Sequence, residues 1–242
     1  MGKRVLVQKK GRGTLNWRSL RHLKVGNVSQ PPVDPKNPDR MQTAKIVDLI
    51  HEPGRGAPLA ELLLDSGKKH LWLPPEGLFV GDILEFGPQT ELKIGNTMEV
   101  RNIPEGAYVY NIEKQPRDGG KFCRTSGGFG ILISKSEKEV TIRLPSGKIV
   151  AVHPKARATI GVVAGSGRPQ KPFVRAGSKY FYMKKKTSLW PVVGACKKNA
   201  VCHPFGGGRK KGPGRPSTTA RNTPPGRKVG LIAAQRTGRK KK

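Results

Sequence analysis

The feature that most constrains this chain is the complete absence of aspartate and glutamate after Glu139. Residues 140–242 contain 25 lysine and arginine side chains and no acidic side chain. Such a segment cannot form an internal salt bridge, so its countercharge must come from outside. Nucleic acid phosphates are the natural source, because each neutralised phosphate releases condensed counterions. The segment therefore predicts a polyanionic partner.

The rest of the chain divides by charge into a basic arm and a nearly neutral middle. Residues 1–40 carry a net charge of +8 and residues 41–139 a net charge of −2, within a total of +31. An anionic membrane would be a rival partner, but the cations do not lie on an amphipathic helix. No apolar run predicts a membrane span or a signal peptide, so cytoplasmic residence is expected. Three cysteines in 242 residues predict no disulfide framework.

Short β-strands separated by turns dominate the middle of the chain, which predicts a mainly β fold. Residues 41–96 contain strands at 44–50 and 81–87 and a hairpin around the turn at residues 65–67, which suggests a small closed barrel. A second set of strands lies within residues 97–175, at 107–112, 130–134, 140–144, 149–153 and 159–163. The sequence therefore predicts two small barrels. The glycine-rich residues 119–130 are expected to form a loop outside the core.

Long basic extensions flank the two predicted barrels. Residues 1–40 show neither helical nor strand periodicity, and either a disordered tail or an ordered RNA contact fits them, with Trp17 and Leu20 as candidate anchors. Residues 176–242 begin with a predicted helix at 176–186, in which Tyr180, Phe181 and Met183 are expected to be partly buried. From Gly194 onward the glycine, proline and cation content predicts a segment that is not compact by itself.

Catalytic and metal chemistry find little support in the sequence. Cys196, Cys202 and His203 provide fewer than the four ligands of a structural zinc site and lack its paired spacings. Adjacent Cys202 and His203 project to opposite sides of an extended chain, which argues against a nucleophile pair. The phosphate-binding pattern of nucleotide hydrolases is also absent. The prediction is a non-enzymatic protein without a catalytic residue, metal or cofactor.

Binding residues are better supported. Arg55 and Arg124 each lie in a glycine-containing loop, where a guanidinium can reach a phosphate or stack on a base, although a solvated surface charge is the plainer interpretation of either. Residues 199–208 contain one histidine and three consecutive glycines, which allow close approach of the backbone to another surface.

Four segments of the chain resemble the universal large-subunit ribosomal protein two family, in its archaeal or eukaryotic form. They are residues 119–127, Lys155-Ala156-Arg157-Ala158-Thr159-Ile160-Gly161, His203-Pro204-Phe205-Gly206-Gly207-Gly208, and Arg215-Pro216-Ser217 with Pro224-Pro225-Gly226-Arg227-Lys228-Val229-Gly230. The likeness covers nearly the whole chain. It implies an oligonucleotide-binding (OB) barrel at 41–96 and an SH3-like barrel at 97–175, between an arm at 1–40 and an RNA-penetrating extension at 176–242.

The resemblance also implies a function and a set of contacts. The expected role is a ribosomal scaffold that binds large-subunit rRNA near the peptidyl transferase centre, close to His203, and supports subunit association, tRNA binding and peptide-bond formation. Expected partners are that rRNA, neighbouring ribosomal proteins and the small subunit, with one copy per ribosome and no membrane. The rRNA-binding residues implied are Arg55, Arg124, Lys155, Arg157, Asn199, His203, Gly206, Gly207, Gly208, Arg209, Arg215, Arg221, Arg227 and Lys228.

One departure from the family pattern limits what can be carried over. Position 202 is Cys where relatives usually have aspartate, so an Asp–His hydrogen bond is not expected here. Two alternatives to the ribosomal interpretation stay open from the residues alone. One is a free-standing nucleic-acid-packaging protein or RNA chaperone, and the other is an enzyme using Cys202 and His203.

Overall fold

The computed structural model describes residues 2–33, 37, 40–209, 212–236 and 238, and it is mainly β. The chain separates into two compact units, one of residues 21–173 and one that joins residues 1–20 to 174–242. The larger unit contains a ten-stranded sheet whose strands are β1 Gln42–Ile50, β2 Leu59–Leu64, β3 Lys69–Trp72, β4 Ile83–Phe86, β5 Thr97–Glu99, β6 Tyr108–Tyr110, β7 Gly130–Lys135, β8 Val140–Arg143, β9 Ile149–Val152 and β10 Arg157–Ile160. Their order in the sheet is β3-β2-β1-β4-β5-β10-β6-β7-β8-β9.

The first hydrophobic cluster lies on β1 to β4. Strand β2 contributes Leu59, Ala60, Leu62 and Leu64 to this cluster as buried residues, while Leu63 is exposed. The β2–β3 hairpin turns at Gly67, whose φ of +73° suits glycine. Trp72 is fully buried and packs edge-to-face on Phe86, with ring centroids 5.6 Å apart. The predicted strands and hairpin of this segment are confirmed.

The second hydrophobic cluster is built from β5 to β10. Antiparallel ladders join β6 to β7, β7 to β8 and β8 to β9, while β10 pairs with both β5 and β6. Val109, Leu132 and Ile142 are fully buried within it. Expected strand positions are again correct, except that β10 covers Arg157–Ile160 and therefore begins before residue 159.

Residues 119–130 are not the exposed loop that their glycine content predicted. Gly120, Ser126, Gly128 and Gly130 are buried, and Cys123 packs against both hydrophobic clusters. A Cβ on Gly130 would lie 2.9 Å from the Ile142 side chain. The glycines are therefore required by close packing inside the unit rather than by solvent exposure.

The basic arm contains local structure that its composition did not predict. An α-helix, α1, covers Leu6–Gly11, and short 3₁₀ turns cover Leu15–Trp17 and Arg21–Leu23. Trp17 and Leu20 are only half-buried, whereas Val28 and Gln30 are buried. The arm from residue 21 onward thus belongs to the sheet unit, where Gln30 reaches the core.

The smaller unit holds the remaining regular elements. Helix α2 covers Ala176–Lys185 as predicted, but Tyr180 and Phe181 are exposed rather than partly buried. Strand β11 (Thr218–Thr219) pairs in parallel with β12 (Leu231–Ile232), so the late segment has a local fold. None of the helices in the described ranges is long and apolar enough to cross a membrane.

Candidate nucleic-acid interface

Among the described residues, five cations line one cleft of about 510 Å³ in the sheet unit. Arg40, Arg101, Arg117 and Lys155 are exposed, and the guanidinium of Arg157 reaches the cleft from β10. Glu99 is the one carboxylate among the cleft's described lining residues, and it pairs with Arg101 at 2.5 Å. The arrangement favours an anion because several cations converge on a concave surface. Lys155 and Arg157 were predicted from sequence, but the other three cations belong to no motif and only the topology brings them together.

Glu113 holds two arginines of this cleft in position, Arg157 through its side chain and Arg117 through its backbone. Its fully buried carboxylate forms a bidentate ion pair with Arg157, at 2.8 Å to Nη2 and 3.3 Å to Nε. The same carboxylate accepts hydrogen bonds from the backbone N–H groups of Arg157, Arg117 and Gly119. The Arg117 bond stabilises a strained backbone, because this residue has a φ of +67°, which is unfavourable for a non-glycine residue. A buried carboxylate therefore fixes both a cleft arginine and the turn that presents another.

Arg55 and Arg124 occupy a second position, between the arm and the glycine-rich segment. Arg55 Nε contacts the buried carboxylate of Glu52 at 2.6 Å. Arg124 donates from Nη1 to the Gly120 carbonyl at 2.9 Å and from Nη2 to the Val28 carbonyl. Burial, followed by the nearby Arg55 charge, lowers the pKa of Arg124. Both arginines thus make intramolecular contacts that hold this surface in shape, and their contact with RNA stays a prediction.

The smaller unit builds residues 199–208 into a compact turn. The Asn199 carbonyl accepts the N–H groups of Cys202 and His203, and the Lys198 carbonyl accepts that of Gly207 at 3.0 Å. A Cβ on Gly206 would clash with the Lys198 carbonyl and would lie 2.5 Å from the Asn199 oxygen. Both obstacles are backbone atoms that cannot rotate away. Glycine at 206 is therefore dictated by the turn itself.

His203 has a defined hydrogen-bonding direction in this turn. Its Nδ1 accepts the Phe205 N–H at 3.1 Å, and the two rings lie 5.3 Å apart. The neutral imidazole therefore carries its proton on Nε2, which leaves a donor for an outside acceptor. Partial burial and then the Lys198 charge lower the pKa of His203 from its ordinary value of 6.5. Cys202 is exposed, and the bond from the Phe205 N–H fixes the orientation of the His203 ring.

We expect the His203 imidazole to titrate below pH 6.5 in an NMR pH titration of the full chain. Because the folded turn binds this proton less readily than the unfolded chain, the turn loses stability as the pH falls through 6.5. Lys198→Ala should raise the His203 pKa, since it removes the charge but keeps the carbonyl that accepts Gly207. A His203 midpoint at or above 6.5, unmoved by that substitution, would contradict the assignment.

The late motifs meet around Phe205. A Cβ on Gly230 would lie 3.1 Å from the Phe205 ring, and the Leu231 N–H bonds to the Ser217 carbonyl at 2.9 Å. The first residues of the arm join them, since Lys3 N–H donates to the Val201 carbonyl at 2.8 Å. Among the predicted late cations, Lys228 is half-buried. The other four are exposed, namely Arg209, Arg215, Arg221 and Arg227.

Metal-ligand geometry is lacking in the described part of the chain. No group of three or more histidine, cysteine, aspartate or glutamate side chains there could hold a metal ion. Cys123 lies among apolar side chains, and this burial raises the pKa of its thiol to about 11. A protonated thiol is a poor ligand and a poor nucleophile.

Comparison with known proteins gives a consistent result along the chain. Residues 93–228 match the family model described as "Ribosomal Proteins L2, C-terminal domain". The chain is 46% identical over 239 residues to the "Large ribosomal subunit protein uL2" of Methanopyrus kandleri, covering 99% of this chain and 98% of that protein. Proteins of the same name are similar in Natronomonas pharaonis (47% identity, 99% and 97% covered) and Korarchaeum cryptofilum (45% identity, 100% and 98% covered).

Proposed function

Because the chain belongs to the ribosomal protein L2 (uL2) family, we propose that it acts as a structural constituent of the large ribosomal subunit that binds large-subunit rRNA. One observation supports this binding most directly, namely the 103 residues of 140–242 without a carboxylate. Their positive charge needs phosphate neutralisation, and ribosomal RNA offers it in a fixed three-dimensional arrangement. The relatives are named as large-subunit proteins, which agrees with that partner.

The finer architecture forms part of the proposal. The cluster on β1 to β4 is proposed as an OB-fold-like barrel of residues 41–96, and the cluster on β5 to β10 as an SH3-like barrel of residues 97–175. Residues 1–20 and 176–242 are proposed as the basic extensions that penetrate the RNA, since the rest of the predicted arm of residues 1–40 belongs to the sheet unit. Two hydrophobic clusters, one mainly within residues 44–86 and one within residues 98–158, support this division.

The role of the predicted contact residues is to position rRNA rather than to catalyse a reaction. His203 presents Nε2–H beside a glycine turn, and we propose that it contacts RNA near the peptidyl transferase centre as a neutral donor. Tight backbone packing at Gly206 suits a scaffold, because it fixes the turn before RNA arrives. Contacts with neighbouring ribosomal proteins and the small subunit, one copy per ribosome, support of tRNA binding and a cytoplasmic location complete the proposal.

We expect rRNA affinity to fall steeply with salt. If ten late cations meet phosphates, log K should fall against log[salt] with a slope of about −9 on duplex RNA and less on single strands. Replacing the cleft residues Arg117 and Lys155 by glutamine should reduce the magnitude of that slope by about 2, since each phosphate that is no longer neutralised changes it by roughly 0.9. Filter binding of the full chain to large-subunit rRNA across a salt series measures both values.

A matched control uses cations of the same unit that have local carboxylates. Lys93 pairs with Glu91, and Lys138 lies between Glu137 and Glu139. Lys93→Gln with Lys138→Gln should leave the slope unchanged. If the two double variants reduced the salt slope equally, the cleft would not be part of the RNA interface. A slope near zero for the unmodified chain would contradict rRNA binding as a whole.

The competing function is a free-standing nucleic-acid-packaging protein or RNA chaperone. High positive charge alone fits both, so sedimentation of a cell lysate decides between them. The ribosomal function requires the protein to travel with large subunits after a high-salt wash, whereas a packaging protein would spread over nucleic acid of all sizes. Unchanged peptide-bond formation in ribosomes carrying Cys202→Ser with His203→Ala would agree with a non-catalytic role.

A further inference from the structure

Helix α2 presents an aromatic surface to solvent. Phe181 is 62% exposed and Tyr180 is 45% exposed, and their rings pack edge-to-face with centroids 5.5 Å apart. Gly177 and Lys184 share this side of the helix by their three- and four-residue spacing. A Cβ at Gly177 would find no atom within 4 Å, so the described residues leave this face uncovered.

Nothing inside the described chain explains why these rings are exposed. Helix α2 has ten residues and buries none of them, whereas isolated helices shorter than about 12–15 residues are marginal in water. Nearby aromatic rings already have partners, since Lys179 lies over Trp190 at 5.3 Å and Lys186 over Tyr182 at 4.9 Å. Those interactions hold cations beside the helix without covering Phe181. The exposed pair therefore belongs to a surface that an outside partner completes.

The charge around α2 identifies the kind of partner. Residues 171–190 contain six cations and no carboxylate, and the last turn of the helix ends in Lys184 and Lys185. An apolar protein surface would leave these charges without countercharge, whereas RNA supplies phosphates and aromatic bases together. Aromatic side chains with flanking cations are the usual means of binding unpaired bases.

We propose that α2 docks on an unpaired segment of large-subunit rRNA, with Phe181 stacked on a base, Tyr180 supporting the ring and the lysines on the adjacent phosphates. This inference rests on the proposed rRNA function and assigns it a further site, outside the motifs of the late extension. Duplex RNA does not offer the same contact, because its bases are already stacked within the helix. The partner of α2 is therefore a looped-out or single-stranded base.

Substitutions at position 181 separate stacking from apolar packing. Removing a base-stacking ring costs about 1–3 kcal/mol of binding free energy. Phe181→Ala should therefore raise the Kd for protein-free large-subunit rRNA by about 5- to 150-fold. Phe181→Trp should bind within about twofold of the original chain because the ring is kept. Phe181→Leu keeps apolar area but no ring, and should lose as much affinity as the alanine variant. Alanine and leucine are both better helix formers than phenylalanine, so loss of α2 cannot explain their weaker binding.

The control is Phe79→Ala, which removes a ring that is 72% exposed in the nearly neutral segment and should leave the Kd unchanged. Full binding by Phe181→Leu would show that α2 packs on an apolar surface, and full binding by Phe181→Ala would show that the ring makes no contact. Either result overturns the inference. Failure of the unmodified chain to bind rRNA would instead contradict the proposed function.

Discussion

Replacing Glu113 by alanine is expected to lower the free energy of unfolding of the sheet unit by about 3–5 kcal/mol, the usual cost of breaking a buried ion pair. The substitution leaves the Arg157 guanidinium, whose side chain is only 12% exposed, without its carboxylate. It also removes the acceptor for the N–H groups of Arg117 and Gly119. Urea unfolding of the full chain, followed by circular dichroism, measures the change.

An exposed ion pair of the same unit provides the control. Glu61 contacts Lys69 at 3.3 Å, and Glu61→Ala should cost less than about 1 kcal/mol. A double variant, Glu113→Leu with Arg157→Met, should recover much of the lost stability because no buried charge is left unpaired. Equal effects from Glu113→Ala and Glu61→Ala would refute the central role given to Glu113.

Gln30→Ala is expected to destabilise the same unit by about 2–4 kcal/mol, since each buried polar group left without a partner costs about 1–3 kcal/mol. Gln30 is 3% exposed and comes from the basic arm. Its Nε2 donates to Thr159 Oγ1 at 2.9 Å and to the Asn111 carbonyl at 3.1 Å, while its Oε1 accepts the Trp72 indole N–H at 3.3 Å. The amide thus joins the first cluster, through Trp72, to strand β10 of the second.

Chemical unfolding again provides the measurement, with Gln89→Ala as the matched control at an exposed glutamine of the same unit. Gln30→Glu should destabilise the fold as well, because a carboxylate cannot donate to Thr159 or Asn111 unless it is protonated. If Gln30→Ala unfolded at the same urea concentration as Gln89→Ala, the arm could not be an integral part of the core.

Local sequence information was sufficient for most of the strands and for the nature of the partner. The apolar run at residues 59–64 and the Asp65-Ser66-Gly67 turn that follows it predict a hairpin, because turn chemistry acts within a few residues. The acid-free residues 140–242 indicate a polyanion since charge is a property of composition alone. The family motif at residues 155–161 also indicated Lys155 and Arg157 as rRNA contacts, which stays a prediction, and it did not indicate the cleft that they line.

Distant contacts account for what the sequence left open. The arm showed no periodicity, yet Gln30 is buried because its partners lie between 42 and 129 positions away in the chain. Glycine-rich residues 119–130 suggested solvent exposure, but Gly120 packs against Asn111 and Gly130 against Ile142 inside the unit. The cleft follows the same principle, because Glu113 holds Arg157 from 44 positions away.

The sequence by itself therefore determined the β-strands, the charge division and the need for an RNA-like partner, since these depend on neighbouring residues or on composition. Only the tertiary structure decided which cations share a cleft, which nitrogen of His203 remains a donor, and that Phe181 faces solvent. Those properties depend on the burial and hydrogen bonding of groups brought together by the fold, and no local pattern encodes them.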